Sequence, residues 1–183
     1  MNRIPARILL PIIMGLVFIL ENTVSFYFAR TLFYGETRFI PHFIIVMLVM
    51  MVVYLPRNQV MIYALVLGLV YDIYNIGIIG IYFALFPVVV YISQKLLHYL
   101  QGTFIMILLV SIFGVAISEF GAYLIFSSMK SVSIAFLPYV TTRLTTTLLF
   151  NIAYFLIIYF PFMLLLKRWK RETKGLSSTH VKL

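Results

Sequence analysis

Three carboxylates and one guanidinium carry whatever chemistry this chain holds within its long apolar stretches: Glu21, Asp72, Glu119 and Arg143. Only five acids occur in 183 residues, and the other two, Glu36 and Glu172, fall in a connecting loop and in the C-terminal tail. Paired carboxylates can divide the roles of general acid and general base, whereas a carboxylate beside a guanidinium can form a buried ion pair that fixes structure without reacting. Burying one charge in hydrocarbon costs at least about 2.5 kcal/mol on insertion scales, so the four side chains are expected to face one another or a wet cavity rather than lipid. The simplest expectation is an internal Glu and Arg lock that fixes helix order, with a ligand or partner-helix site as the first alternative and catalysis as the second. Against catalysis, the chain has no HExxH, no GxSxG and no phosphate-binding glycine loop. His42, His98 and His180 lie at span ends or in the tail without metal-ligand spacing, and read as solvated or interfacial side chains. Neither a metal nor a cofactor is implied, and the expectation is a protein that is not an enzyme.

The elements that must position these groups follow from composition. A hydrophobic content of 63%, a charged content of 10% and a mean hydropathy of +1.08 lie outside the soluble range. The chain reads as an all-α membrane protein. Its formal charge of +9 does not require nucleic acid, because five of the fourteen Lys and Arg, namely Lys167, Arg168, Lys170, Arg171 and Lys174, follow directly on an apolar segment as a membrane-anchoring flank. The absence of cysteine excludes disulfides and thiolate metal sites. Met1 to Ala6 and Arg7 imitate a signal peptide, but no small-x-small cleavage site follows and the apolar run continues past Glu21, so it reads as an uncleaved first span.

With about 20 apolar residues per crossing as the yardstick, six spans are expected, at about 8–28, 41–55, 58–71, 79–97, 104–126 and 139–166, followed by a basic tail over 169–183. The second starts at Pro41, a residue suited to a first helical turn, and stops before Pro56, leaving about 15 residues or about 22 Å. The third is shorter still. It ends at Asp72 to Gly77, where polar residues and glycine break the apolar pattern, and two short spans in series suggest a cavity or an unwound segment. Pro87 is placed as a kink in the fourth span, and Pro138 as the true start of the sixth.

Two helical faces add detail. Ser111, Gly114, Ser118, Gly121 and Ala122 form a small-residue stripe on the fifth span that lets helices approach closely, more in keeping with internal packing than with an oligomer interface. Arg143, Thr147 and Asn151 recur every four residues on the sixth span and are expected to point inward. The neighbouring threonines can satisfy themselves on the preceding turn, which leaves Arg143 as the informative member. Arg3, Arg7, Arg57, Lys95 and the tail cations fall on one side of the six spans and only Arg30, Arg38 and Lys130 on the other. The positive-inside rule then puts both termini in the cytoplasm. Glu21, Glu119 and Arg143 each come several residues deep in the outward half, where Asp72 joins them if the third span ends early. The basic tail can contact anionic lipids or an acidic partner, and Trp169 fits an interfacial belt.

At Gly68-Leu69-Val70-Tyr71-Asp72, with Gly77 and Gly80 before the fourth span, glycines permit a tight reversal and close helix approach, and Asp72 can cap the next helix. On these residues, its length, its polar-interrupted first span and its basic tail, the chain resembles the MreD family, the integral-membrane component of the bacterial rod-shape machinery. That family often has a proline just before the glycine at the loop's end, where Ile78-Ile79 stand here. The resemblance implies a noncatalytic scaffold in the cytoplasmic membrane working with MreC, the MreB filament, and the glycosyltransferase and transpeptidase that make sidewall peptidoglycan. Chains of this kind are also similar in architecture to the substrate-binding S-components of energy-coupling-factor vitamin transporters, which gives the alternative function. The Ala-x-x-x-Ala docking surface of such components is absent, since Ala6 and Ala29 are the alanines near the first span.

Overall fold

The helix that is apolar on every side sits in the middle. In the structure, a computed structural model describing residues 5–31, 41–129, 136 and 139–180 (the side chains of 28–31, 142 and 174–180 excepted), helix α1 covers Ala6–Thr31 and α2 covers Phe43–Val52. The rest of the bundle is α3 (Arg57–Tyr71), α4 (Ile81–Tyr99), α5 (Phe104–Ser128) and α6 (Thr145–His180). Arg38, Lys130, Pro138 and Lys182 fall outside the described residues, as do the side chains of Arg30 and Lys174. Among the described residues the architecture is all-α, with six helices.

Every residue from Phe43 to Met51 is buried, and α2 is contacted by all five other helices. A helix without a polar face has nothing to present to water or headgroups, so it becomes the core. Its 10 residues span about 15 Å, half of a hydrocarbon layer of about 30 Å. The other five helices are long and apolar enough to cross a membrane. Their outer faces are apolar as well: Leu16, Ile62, Leu149 and Ile157 are among the exposed large hydrophobics. In water such a surface would aggregate, whereas in lipid it is the solvated surface.

The third span is longer than its sequence suggests. Helix α3 does not stop at Tyr71 but continues through a π-helical turn, Asp72–Ile76, which brings it to a crossing length of 20 residues. The Gly77 N–H closes that turn on the Asp72 carbonyl at 2.8 Å, with Gly77 in the left-handed region at φ 74°. The polar residues there are thus accommodated by one wide turn rather than by unwinding. A second π-helical turn, Tyr139–Leu144, leads into α6. The cations Lys167, Arg168, Lys170 and Arg171 stand on α6, which runs to His180.

Close approach between α3 and α4 rests on Gly68, where a Cβ would meet the Tyr82 carbonyl oxygen at 2.5 Å. The small stripe of α5 faces inward: Ser111, Gly114, Ser118 and Ala122 are buried, a Cβ on Gly114 would stand 2.9 Å from Val89 of α4, and one on Gly121 would stand 2.6 Å from Leu85. At one end of the bundle the Ala6 N–H donates to Glu172 Oε2 at 2.7 Å, joining the start of α1 to the far part of α6. Trp169, placed by sequence in an interfacial belt, is 5% exposed and packs in the core.

Candidate functional site

A short helix buried in a membrane protein has a problem at its N-terminus: its first amides have no intrahelical partner and no water to bond. Here side chains of two other helices supply the acceptors. Glu21 of α1 accepts the Ile44 N–H at 3.0 Å through Oε2, and the Phe43 N–H also points at this carboxylate. Asn151 of α6 accepts the His42 N–H at 3.0 Å, while its own amide donates to the Thr147 carbonyl at 2.8 Å. The inward polar line of α6 therefore has a definite task, with Thr147 and Asn151 both buried. A carboxylate at a helix N-terminus is also favoured by the helix dipole.

Asp72 does the same for α4. Its Oδ2 accepts the N–H groups of Gly80 at 2.8 Å and Phe83 at 3.0 Å, and its Oδ1 accepts that of Tyr82 at 2.8 Å. Three charge-assisted bonds from one buried side chain fix the loop to the helix it precedes. Gly80 supports this with φ 123°, a conformation residues with a side chain rarely adopt. Asp72 is thus drawn to backbone rather than to Arg143.

Glu119 is the hub of the remaining polar groups. Its Oε1 lies 2.7 Å from His42 Nε2, and its Oε2 accepts from the Tyr139 hydroxyl at 2.8 Å. Arg143 Nε approaches Oε2 at 3.2 Å as an ion pair, without hydrogen-bond alignment. His42 and Glu119 are fully buried (0% exposed), whereas Arg143 is 29% exposed. A carboxylate can only accept, so against ionised Glu119 the donor is His42 Nε2–H.

Two sequence expectations change here. His42 is no solvated side chain, because α2 begins inside the bundle and carries it there. Nor is Arg143 a common counter-ion for three carboxylates: its ion pair is with Glu119, and Glu21 and Asp72 are taken up by backbone amides. Tyr139 and His42 went unrecognised as partners of Glu119. The signal that points to His42 is its place beside Pro41, at the start of a span too short to reach a membrane surface.

The arrangement binds helices to one another. Each embedded carboxylate joins two elements: Glu21 joins α1 to α2, Asp72 joins the π-helical turn to α4, and Glu119 joins α5 to His42 and to the turn before α6.

Residues 6–169 match the family described as rod shape-determining protein MreD. The chain belongs to the MreD family. It is 27% identical over 168 residues to the rod shape-determining protein MreD of Bacillus subtilis (strain 168), an alignment covering 92% of this chain and 98% of that protein. No solved structure matches it. Membership of the MreD family ties the chain to rod-shape determination and makes it a membrane protein, in keeping with the five crossing-length helices. Gly68 and Asp72 together hold α3 and its π-helical turn against the start of α4.

Proposed function

We propose that the chain is a noncatalytic scaffold of the machinery that elongates rod-shaped bacteria, holding MreC and the sidewall glycosyltransferase and transpeptidase together in the cytoplasmic membrane, with MreB engaged through the same assembly. One observation carries this reading beyond family membership: Glu21, Asp72 and Glu119 are each committed to amides or side chains of a neighbouring element. Side chains used in this way hold the helices of the bundle to one another. The start of α1 and the far part of α6 would both face the cytoplasm. The Ala6 to Glu172 bond joins the ends of α1 and α6, and Lys170 over the Tyr54 ring at 5.6 Å brings the α2–α3 turn, with Arg57, to the same end. Arg7, Arg57, Lys167, Arg168, Lys170 and Arg171 then share one side, the pattern of cytoplasmic faces.

The test is a mild-detergent pull-down of the tagged protein from native membranes, with partners identified by mass spectrometry. Recovery of MreC with wall-synthesis enzymes is the expected result. Recovery of a transporter's ATPase module would replace the scaffold with substrate uptake.

A further inference from the structure

Away from the Glu119 cluster, at the basic end of the bundle, a cavity of about 620 Å³ opens between the α2–α3 turn, the last turns of α4 and the α4–α5 turn. Its polar wall is unusual in three ways. Arg57 and Lys95 both stand over the single ring of Tyr91, with Arg57 Cζ 5.2 Å and Lys95 Nζ 4.8 Å from its centroid. Two cations gathered at one ring repel each other, and an anion between them relieves that repulsion. Neither is paired with a carboxylate among the described residues: Glu21, Asp72 and Glu119 belong to the polar contacts described above, and Glu172 is held by Arg168 and the Ala6 amide.

The second feature is Gln94, which lines the same cavity with both Nε2 and Oε1 buried and without a hydrogen-bond partner among the described residues. A buried amide left without partners is costly, and its N–H₂ offers two donors to an oxygen-rich ligand. The third is Gln101, the one non-glycine residue with positive φ (60°) among the described residues, on the cavity's rim beside Gly102 (φ 53°). Strained backbone of this kind gathers at binding sites. Val52, Val53, Leu55 and Leu97 give the wall an apolar part, with His98 and Tyr99 completing it.

We infer that this cavity is a binding site for the phosphate group of an anionic phospholipid, with Arg57 and Lys95 as the charge partners, the Gln94 amide as a neutral donor and the apolar wall taking the first carbons of the glycerol and acyl chains. Basic pockets between membrane helices at the headgroup level are suited to such ligands. The site is separate from the C-terminal cations, whose small cavity is lined by Tyr54, Lys167, Lys170 and Arg171. Its existence does not depend on the scaffold reading or on which face is cytoplasmic.

The experiment uses the protein in nanodiscs of phosphatidylcholine alone or of phosphatidylcholine mixed with phosphatidylglycerol, which gives the surface a negative potential. Thermal unfolding and native mass spectrometry of retained lipid are the readouts. Phosphatidylglycerol should raise the unfolding temperature of the wild type, and the variant carrying Arg57→Gln and Lys95→Gln should retain about ten- to thirtyfold less of it, as expected for two lost near-surface cations. The variant carrying Lys167→Gln, Lys170→Gln and Arg171→Gln should keep most of the retained lipid. If the first variant fails to fold in phosphatidylcholine, Gln94→Met, which leaves both charges in place, should still lower retention severalfold. Retention equal to wild type in the pocket variants, or loss confined to the C-terminal variant, overturns the site. Inorganic phosphate added to phosphatidylcholine nanodiscs separates the sources: a stabilisation that matches phosphatidylglycerol and vanishes in the pocket variant overturns the lipid assignment in favour of a soluble phosphate.

Discussion

The Glu21 carboxylate holds the Ile44 amide at 3.0 Å, so that the N-terminus of the central helix α2 is capped by a side chain from α1, 23 residues earlier in sequence. Glu21→Leu removes the acceptor and leaves buried amides orphaned, a loss of about 1 to 3 kcal/mol. Glu21→Gln keeps a carbonyl oxygen and should recover most of it. Thermal unfolding in one detergent, compared for both variants, checks this. Equal losses for Leu and Gln would show that charge rather than the acceptor matters at this position.

Asp72 accepts three bonds, from the amides of Gly80, Tyr82 and Phe83, and bonds to a charged acceptor contribute about 1.5 to 3 kcal/mol each. In Asp72→Asn one carboxylate oxygen becomes an N–H₂ group facing N–H donors, so the substitution should destabilise the protein by about 2 kcal/mol or more despite its conserved shape. Protease sensitivity at Gly77 to Gly80 should rise in parallel. An unchanged cleavage rate there would mean that the loop does not depend on this cap.

The membrane class and the crossing helices were legible because hydrophobic runs near bilayer length leave little choice of fold, and the Asp72 cap was legible because an acid between glycines at a helix start has few other uses. The partners of Glu21, Glu119 and Arg143 were not. Depth along a helix can be counted from sequence, but which carboxylate meets which donor depends on the helix order, and that order turns on α2. A run from Pro41 to Leu55 reads as a short crossing segment when taken alone. Only the surrounding helices reveal it as a buried core whose N-terminus draws in Glu21 and Asn151 and carries His42 to Glu119.

Gly68 and Gly121 both lack room for a methyl group, yet they should respond differently. At Gly68 the added Cβ meets backbone, the Tyr82 carbonyl oxygen at 2.5 Å, whereas at Gly121 it meets the end of the Leu85 side chain at 2.6 Å. Backbone can yield only by moving α3 away from α4. Gly68→Ala should therefore cost about 1 to 3 kcal/mol, in the range for overpacking, and Gly121→Ala clearly less, since Leu85 can change rotamer. Chemical denaturation in mixed micelles gives the ranking, and a reversed order would refute the close α3–α4 approach.

His42 and Arg143 both meet Glu119, but in different surroundings, and the difference sets which matters more for stability. His42 is fully buried and sits 2.7 Å from Oε1, whereas Arg143 is partly exposed and 3.2 Å from Oε2 without alignment. Removing His42 takes away the buried partner of Oε1 and leaves only the contacts to Oε2. Removing a partly exposed one leaves Glu119 with His42 and Tyr139. His42→Leu should thus destabilise by about 3 kcal/mol and Arg143→Leu by less. A double-mutant cycle with Glu119→Gln should give a larger coupling energy for His42 than for Arg143. Should Arg143 show the larger coupling, the guanidinium would be the main counter-charge, and His42 would be held in place by α2 rather than by Glu119.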